Sequence, residues 1–252
     1  MSILNLLNKN NKNNANNAAN ANMILAGILK RAKSPEQCKC IDFFLGTEVP
    51  EKKKGLGCLK GNSTWTIDDY IAHVDSEVAK LNLKQRAIEK IGLDESQISE
   101  IPPIVLSSFV RSGEGIYWKT NEDWSKYVTN KFSVTWIFFS ATQIYTHTYE
   151  LDTMTDNSFE TTRDFFYSDI TCIRTAHEVE EHVYEVKEKG CLAMIKSFFN
   201  KTEAKYARYH KHWDTLQITV PNDSYSFCCR TTSTLEQSIQ AAKAMIREKK
   251  QA

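Results

Sequence analysis

The stretch Phe132-Ser133-Val134-Thr135-Trp136-Ile137-Phe138-Phe139-Ser140-Ala141-Thr142-Gln143-Ile144-Tyr145-Thr146-His147-Thr148-Tyr149-Glu150-Leu151 decides the fold. Its first half sets Phe132, Val134, Trp136 and Phe138 at alternate positions, separated by Ser133, Thr135 and Ile137. A period of two, carried by β-branched and aromatic residues, predicts a strand. Ala141-Thr142 can reverse the chain, and Ile144, Tyr145, Thr146, Thr148, Tyr149 and Leu151 then supply the partner strand of a hairpin.

Downstream, the same reasoning predicts strands at Phe165–Tyr167, Ile170–Thr175, Val179–Val186, Thr215–Val220 and Tyr225–Arg230. Pro221-Asn222-Asp223 is the turn between the last two. A closing helix from about Thr234 to Lys250 carries Leu235, Ile239, Ala242, Met245 and Ile246 on one face. Upstream of Pro103 the period is helical. Ser34, Pro35 and Gln37 read as N-cap, first helical residue and third residue of a capping box, with the helix reaching Leu45 and Gly46 as its left-handed cap. Thr66 caps a second helix whose stripe is Ile67, Tyr70, Ile71, Val74, Val78 and Leu81. A third runs from about Lys84 to Ile91 and stops at Gly92. Asp94-Glu95-Ser96-Gln97 opens a fourth short helix, which Pro102-Pro103 ends.

The expected fold is therefore α+β. A helical region over 23–103 precedes an antiparallel sheet or barrel over 104–252, capped by the C-terminal helix. Between two of its strands, Cys191 to Trp213 plots as a helical insertion over about 190–212, with Leu192, Ile195, Phe198, Phe199, Tyr206, Tyr209 and Trp213 on one side. Lys196, Lys201, Lys205, Arg208 and Lys211 spread over the rest. An aromatic stripe with basic flanks suits a groove on a protein partner, or an anionic membrane surface, so Lys196, Phe198, Phe199, Lys201, Lys205 and Arg208 are the candidate binding residues.

Composition narrows the function. Over 252 residues, 32 basic and 31 acidic side chains leave a formal charge of +1, which removes the global field that draws a protein onto nucleic acid. Residues 1–22 are dominated by asparagine and have too little to bury, so a disordered tail is expected. The apolar run Met23–Leu29 falls far short of the roughly 20 residues that cross a bilayer and reads as a short docking helix. Seven cysteines, an odd number with no secretory signal ahead of them, read as reduced thiols of a cytoplasmic protein, or of one peripheral at a membrane.

Each candidate for chemistry lacks part of its motif. His177-Glu178-Val179-Glu180-Glu181-His182 brings its second histidine one residue too late for a zinc-protease helix, and on a strand its histidines fall on opposite faces. Cys38 and Cys40, imagined with Cys58 and His73 as a zinc site, point about 200° apart on a helix. Gly55-Leu56-Gly57-Cys58-Leu59-Lys60-Gly61 misplaces the third glycine of a dinucleotide fingerprint and has no strand before it. His210-Lys211-His212 sets both imidazoles on one face if the chain is extended there, although a solvent-facing strand start before Trp213 is the simpler reading. No metal, no cofactor and no catalytic residue is assigned. A hydrolase with a spatially assembled Cys/His site stays open as an alternative, because sequence does not reveal spatial triads.

The run Phe132–Leu151, then Glu160 and Phe165-Phe166-Tyr167-Ser168-Asp169-Ile170, then Leu216-Gln217-Ile218-Thr219-Val220-Pro221-Asn222-Asp223-Ser224-Tyr225 and a final helix resembles a bacterial pleckstrin-homology-like (GRAM-like) domain. Leu93 to Pro103 is similar to the segment that precedes this module in bacterial proteins, so the resemblance covers roughly residues 85–252. It implies a strand-built module plugged by its last helix and a binding or scaffolding role toward a protein partner. An anionic lipid is the alternative ligand.

Overall fold

The computed structural model describes residue 32 and residues 34–45, 65–98, 101–121, 125–155, 157–186, 205–230 and 232–251. The asparagine-rich tail, the Met23–Leu29 run, Gly46, the glycine-rich segment with Cys58, and Cys191 to Lys201 lie outside them. Among the described residues three α-helices come first: α1 (Pro35–Leu45), α2 (Ile67–Lys80) and α3 (Leu83–Ile91). Nine strands follow: β1 (Ile104–Phe109), β2 (Trp118–Thr120), β3 (Tyr127–Thr129), β4 (Lys131–Phe139), β5 (Gln143–Asp152), β6 (Ser158–Phe166), β7 (Cys172–Val186), β8 (Lys205–Val220) and β9 (Asp223–Cys229). Helix α4 (Ser233–Lys249) closes the chain.

The strands form separate antiparallel sheets rather than a closed barrel: four in the order β1-β4-β5-β6, two as β2-β3, and three in the order β7-β8-β9. The mixed helix-and-sheet class is as expected. Three details differ. The fourth helix is a single 3₁₀ turn, Glu95–Ile98, closed by Gln97 Oε1 accepting from the Asp94 amide at 2.9 Å. Strands β1, β2 and β3 were not expected. The helix read into Cys191–Trp213 is overturned from Lys205 onward, where the chain is β8, paired residue by residue with β7.

By its internal contacts the chain divides into two compact units. The first comprises the described residues of 1–85, 109–133 and 149–160, and the second those of 86–108, 134–148 and 161–252, so β1, β4, β5 and β6 contribute residues to both. In the first unit, Thr66 caps α2 with a complete capping box toward Asp69. That aims Tyr70 and Val74 into an aromatic core. Phe43 stacks on Tyr70 at 4.9 Å between ring centres, Phe109 lies 6.0 Å from Tyr70, and Phe132 lies 5.0 Å from Phe109.

In the second unit, β4 is covered on both faces. Ile137 and Phe139 join a core with Ile104 and Leu106 of β1, Ile144 of β5, Leu216 and Ile218 of β8, and Ile239, Ala242 and Ile246 of α4. Phe138 joins Ala87 and Ile88 of α3, with Trp136 packed against them. The hairpin turns are built as the sequence suggests. Ser140 Oγ accepts from the Thr142 and Gln143 amides at the β4–β5 turn. Val220 pairs with Asp223 across Pro221-Asn222, where Asn222 takes a φ of 67° after a proline, as in a type II turn.

Candidate functional site

The feature that stands apart from both cores is the ribbon made by β7 and β8. Their register runs from Cys172↔Thr219 to Val186↔Lys205. Strand β9 pairs with β8 only from Val220 to Asp214. From Glu178↔Trp213 onward, β7 and β8 therefore pair only with each other among the described residues. These are nine residue pairs, about 30 Å at the usual rise per residue. A two-stranded ribbon of that length has one edge on each side for a neighbour to use.

Side-chain contacts at the base of the ribbon follow the ladder. Arg174 Nε donates to Gln217 Oε1 at 2.8 Å, His177 Nδ1 lies 2.8 Å from Asp214 Oδ1, and Trp213 Nε1 donates to Glu178 Oε2 at 3.0 Å. Each is a directly opposed pair. His177 and His182 both sit on β7 at odd spacing, so they fall on opposite faces, as the sequence reading requires. Val179 is 53% exposed.

Two of the candidate binding residues are placed by this register. Lys205 is opposite Val186 and Arg208 is opposite Val183. On a helix these two would share a face; on a strand their spacing of three puts them on opposite faces. The strand also sets acid against base: Glu180 opposes Lys211, and Glu181 opposes His210. Lys196, Phe198, Phe199 and Lys201 lie outside the described residues.

The imagined zinc cluster becomes something else. Cys40 is fully buried on α1, and burial pushes its thiol up to about 12 while Thr153 shares a hydrogen bond with it. Thr153 is one node of a polar network in the first unit. The Tyr70 hydroxyl donates to the Thr129 carbonyl at 3.0 Å and lies 2.8 Å from Thr153 Oγ1. Asn130 Nδ2 donates to Asp152 Oδ1 at 3.0 Å, and Gln37 Nε2 donates to the Met154 carbonyl at 3.0 Å. The Ser34 half of the expected capping box is made, with Ser34 Oγ accepting from the Gln37 amide at 3.0 Å. His73 packs on Trp65 at 5.0 Å between ring centres, and burial holds its imidazole below the usual histidine value.

Cys38, Cys40, Cys172, Cys228 and Cys229 form no disulfide. Among the residues whose side chains are described, no three His, Cys, Asp or Glu converge as metal ligands. The second unit's core leaves a void of about 10 Å³ bounded by Ile104, Ile137, Ile144, Leu216, Ile239 and Ala242. Its lining is wholly apolar, too small and too dry to hold a polar substrate. No described helix is long and apolar enough to cross a membrane.

Sequence reasoning missed the ribbon because the pairing of β7 with β8 is non-local. The available signal was the run of strand-forming aromatics Tyr206, Tyr209 and Trp213, which fits either period. No family model, curated protein or solved structure matches the chain, so the reading of this site rests on its geometry.

Proposed function

We propose that the chain is a non-catalytic binding module of the pleckstrin-homology-like type that engages a protein partner through the β7–β8 ribbon and the segment joining its strands. The observation that carries this reading is the ribbon itself. Nine residue pairs extend past the last rung of β9, and there, among the described residues, β7 and β8 pair only with each other. Chain order supports the domain type: a four-stranded sheet, then a three-stranded sheet, then an amphipathic helix whose Ile239, Ala242 and Ile246 pack into the core beneath strands of both.

A protein partner is favoured over a lipid surface by the register. Glu180 and Glu181 oppose Lys211 and His210, so the acidic strand offsets the basic one, and Lys205 and Arg208 do not add up on one face. The hydrolase alternative needs an ionisable thiol beside an imidazole. Cys40, buried with its thiol pushed up to about 12, is the opposite of an activated nucleophile.

The test is affinity capture with the full chain against a trimmed variant in which residues 179–212 are replaced by Asn-Gly, a dipeptide that closes two-residue hairpins. The proposal expects a defined protein retained by the wild type and absent from the trimmed chain, then reproduced with purified components. Equal retention by both chains overturns it. Flotation with anionic vesicles at low salt, comparing wild type with the Lys196→Glu, Lys201→Glu, Lys205→Glu, Arg208→Glu variant, reads the lipid alternative. Vesicle binding by the wild type alone would replace the protein partner with a membrane.

A further inference from the structure

We propose that the backbone edge of β8 between Tyr206 and His212 takes up an extended acidic segment of a protein partner as an additional antiparallel strand, end to end with β9. The inference rests on the ribbon being the recognition surface and specifies how that surface binds.

The backbone carries the argument. Strand β9 pairs with β8 from Val220 to Asp214 and stops there. Strand β8 runs on to Lys205, paired on its other side with β7 at every position. The edge that β9 uses therefore continues beyond Asp214 with no strand on it among the described residues. Along a strand, the N–H and C=O groups of successive residues turn alternately to the two neighbours. The Thr219 carbonyl accepts from the Thr171 amide at 2.7 Å, which turns Thr219 toward β7. Val220, the next residue, faces Asp223 of β9. Both registers are unbroken, so the alternation turns the backbone groups of Tyr206, Arg208, His210 and His212 to the open side. They span about 20 Å of ladder, a template for another chain.

Charge selects the occupant. Lys205 to Trp213 holds Lys205, Arg208 and Lys211 and no acidic residue. The stretch of β7 that opposes it, Glu178 to Val186, holds four glutamates and neither lysine nor arginine. The fold thus already matches this basic strand with an acidic neighbour on one side. A strand added on the open side would lie about 4.8 Å from β8 and about twice as far from β7. The second distance exceeds the screening length of about 8 Å at physiological salt, so the charge of β8 dominates there. An acidic segment complements it. Two copies joined through this edge would set basic strand against basic strand, a repulsive arrangement.

The experiment uses the full chain and, as probe, a fluorescein-labelled nine-residue peptide alternating glutamate with threonine and valine, followed by anisotropy at low salt. The expected result is saturable binding of one equivalent, with no binding of the same peptide carrying lysine for glutamate and none to the chain in which Asn-Gly replaces 179–212. N-methylation of alternate peptide amides should weaken binding about tenfold or more on the set that faces β8, and less than about twofold on the other set. In the protein, His210→Pro removes an outward donor and leaves the β7 ladder its bonds, so it should weaken binding as much, while His210→Ala leaves binding unchanged. Failure of the acidic peptide to bind, or indifference to both methylation patterns and to His210→Pro, overturns strand addition. Self-association of the wild type in light scattering, lost in His210→Pro, would put a second copy on the edge and overturn a separate partner. A protein captured equally by wild type and His210→Pro, but not by the trimmed chain, overturns strand addition while the ribbon remains the recognition surface.

Discussion

Cys40 and Tyr70 share one neighbour, the Thr153 hydroxyl, and burial raises the pKa of both far above that of the free side chains. Being fully buried, each must lose its charged form before the core around Phe43 and Phe109 can close. The linkage sign follows. The folded thiol keeps its proton up to about 12, whereas the unfolded thiol loses it near 9.0, so the stabilisation is complete below 9.0 and is lost as pH rises between these values. Within that window each pH unit removes up to about 1.4 kcal/mol, with the buried Tyr70 phenol adding to the trend as the unfolded phenol ionises. Urea midpoints measured from pH 8 upward should fall, and Cys40→Ala should flatten the first part of the decline. In the same protein iodoacetamide should modify exposed Cys172 while sparing Cys40 until unfolding. Native-state labelling of Cys40 at the rate of Cys172 would show that the thiol is neither buried nor raised.

Helix α3 ends where its sequence says it must. The Gly92 amide donates to the Ile88 carbonyl at 2.9 Å, the Leu93 amide reaches the same carbonyl, and Gly92 takes a φ of 76°. An added Cβ there meets no atom within 4 Å, so the effect of Gly92→Ala is conformational rather than steric. The expected cost is about 1–2 kcal/mol, the penalty of the left-handed region for an L-residue. Chemical denaturation reads it directly, and an alanine variant as stable as the wild type would remove the need for glycine at this cap. This cap, Thr66 and the face of α4 were legible because capping and helical periodicity are local. Strand β4 was legible in position but not in burial: alternation suggested one buried face, whereas Ile137 and Phe139 meet the α4 core and Phe138 meets α3. The short strands β2 and β3 escaped because three-residue strands carry too few positions for a period. The first half of β8 was read as a helix because Tyr206, Tyr209 and Trp213 satisfy a period near 3.6 as readily as they fill a strand. Only its partner, Val179–Val186, expected as a strand on its own, decides between the two, and that pairing joins segments far apart in sequence.

On the scale of the molecule, the ribbon and the cores divide the chain's work. Every residue that β8 gives to the second unit's buried core, Leu216 and Ile218 foremost, lies within the stretch that β9 also pairs. Among the residues whose side chains are described, none of the core comes from the rungs beyond Glu178 and Trp213, and Val179 there is exposed. Stability scales with buried apolar surface, so removing those rungs should leave it nearly intact. The trimmed variant, with 179–212 replaced by Asn-Gly, keeps the rungs from Cys172↔Thr219 to Glu178↔Trp213 and hence the Glu178–Trp213 contact at 3.0 Å. Its unfolding should remain cooperative, with a free energy within about 1 kcal/mol of the wild type, the range typical of changes away from a core. Binding of the partner should disappear in this variant. A collapse of cooperativity on trimming would mean that the removed residues are part of a core, and the ribbon would then have to be reassigned from recognition to architecture.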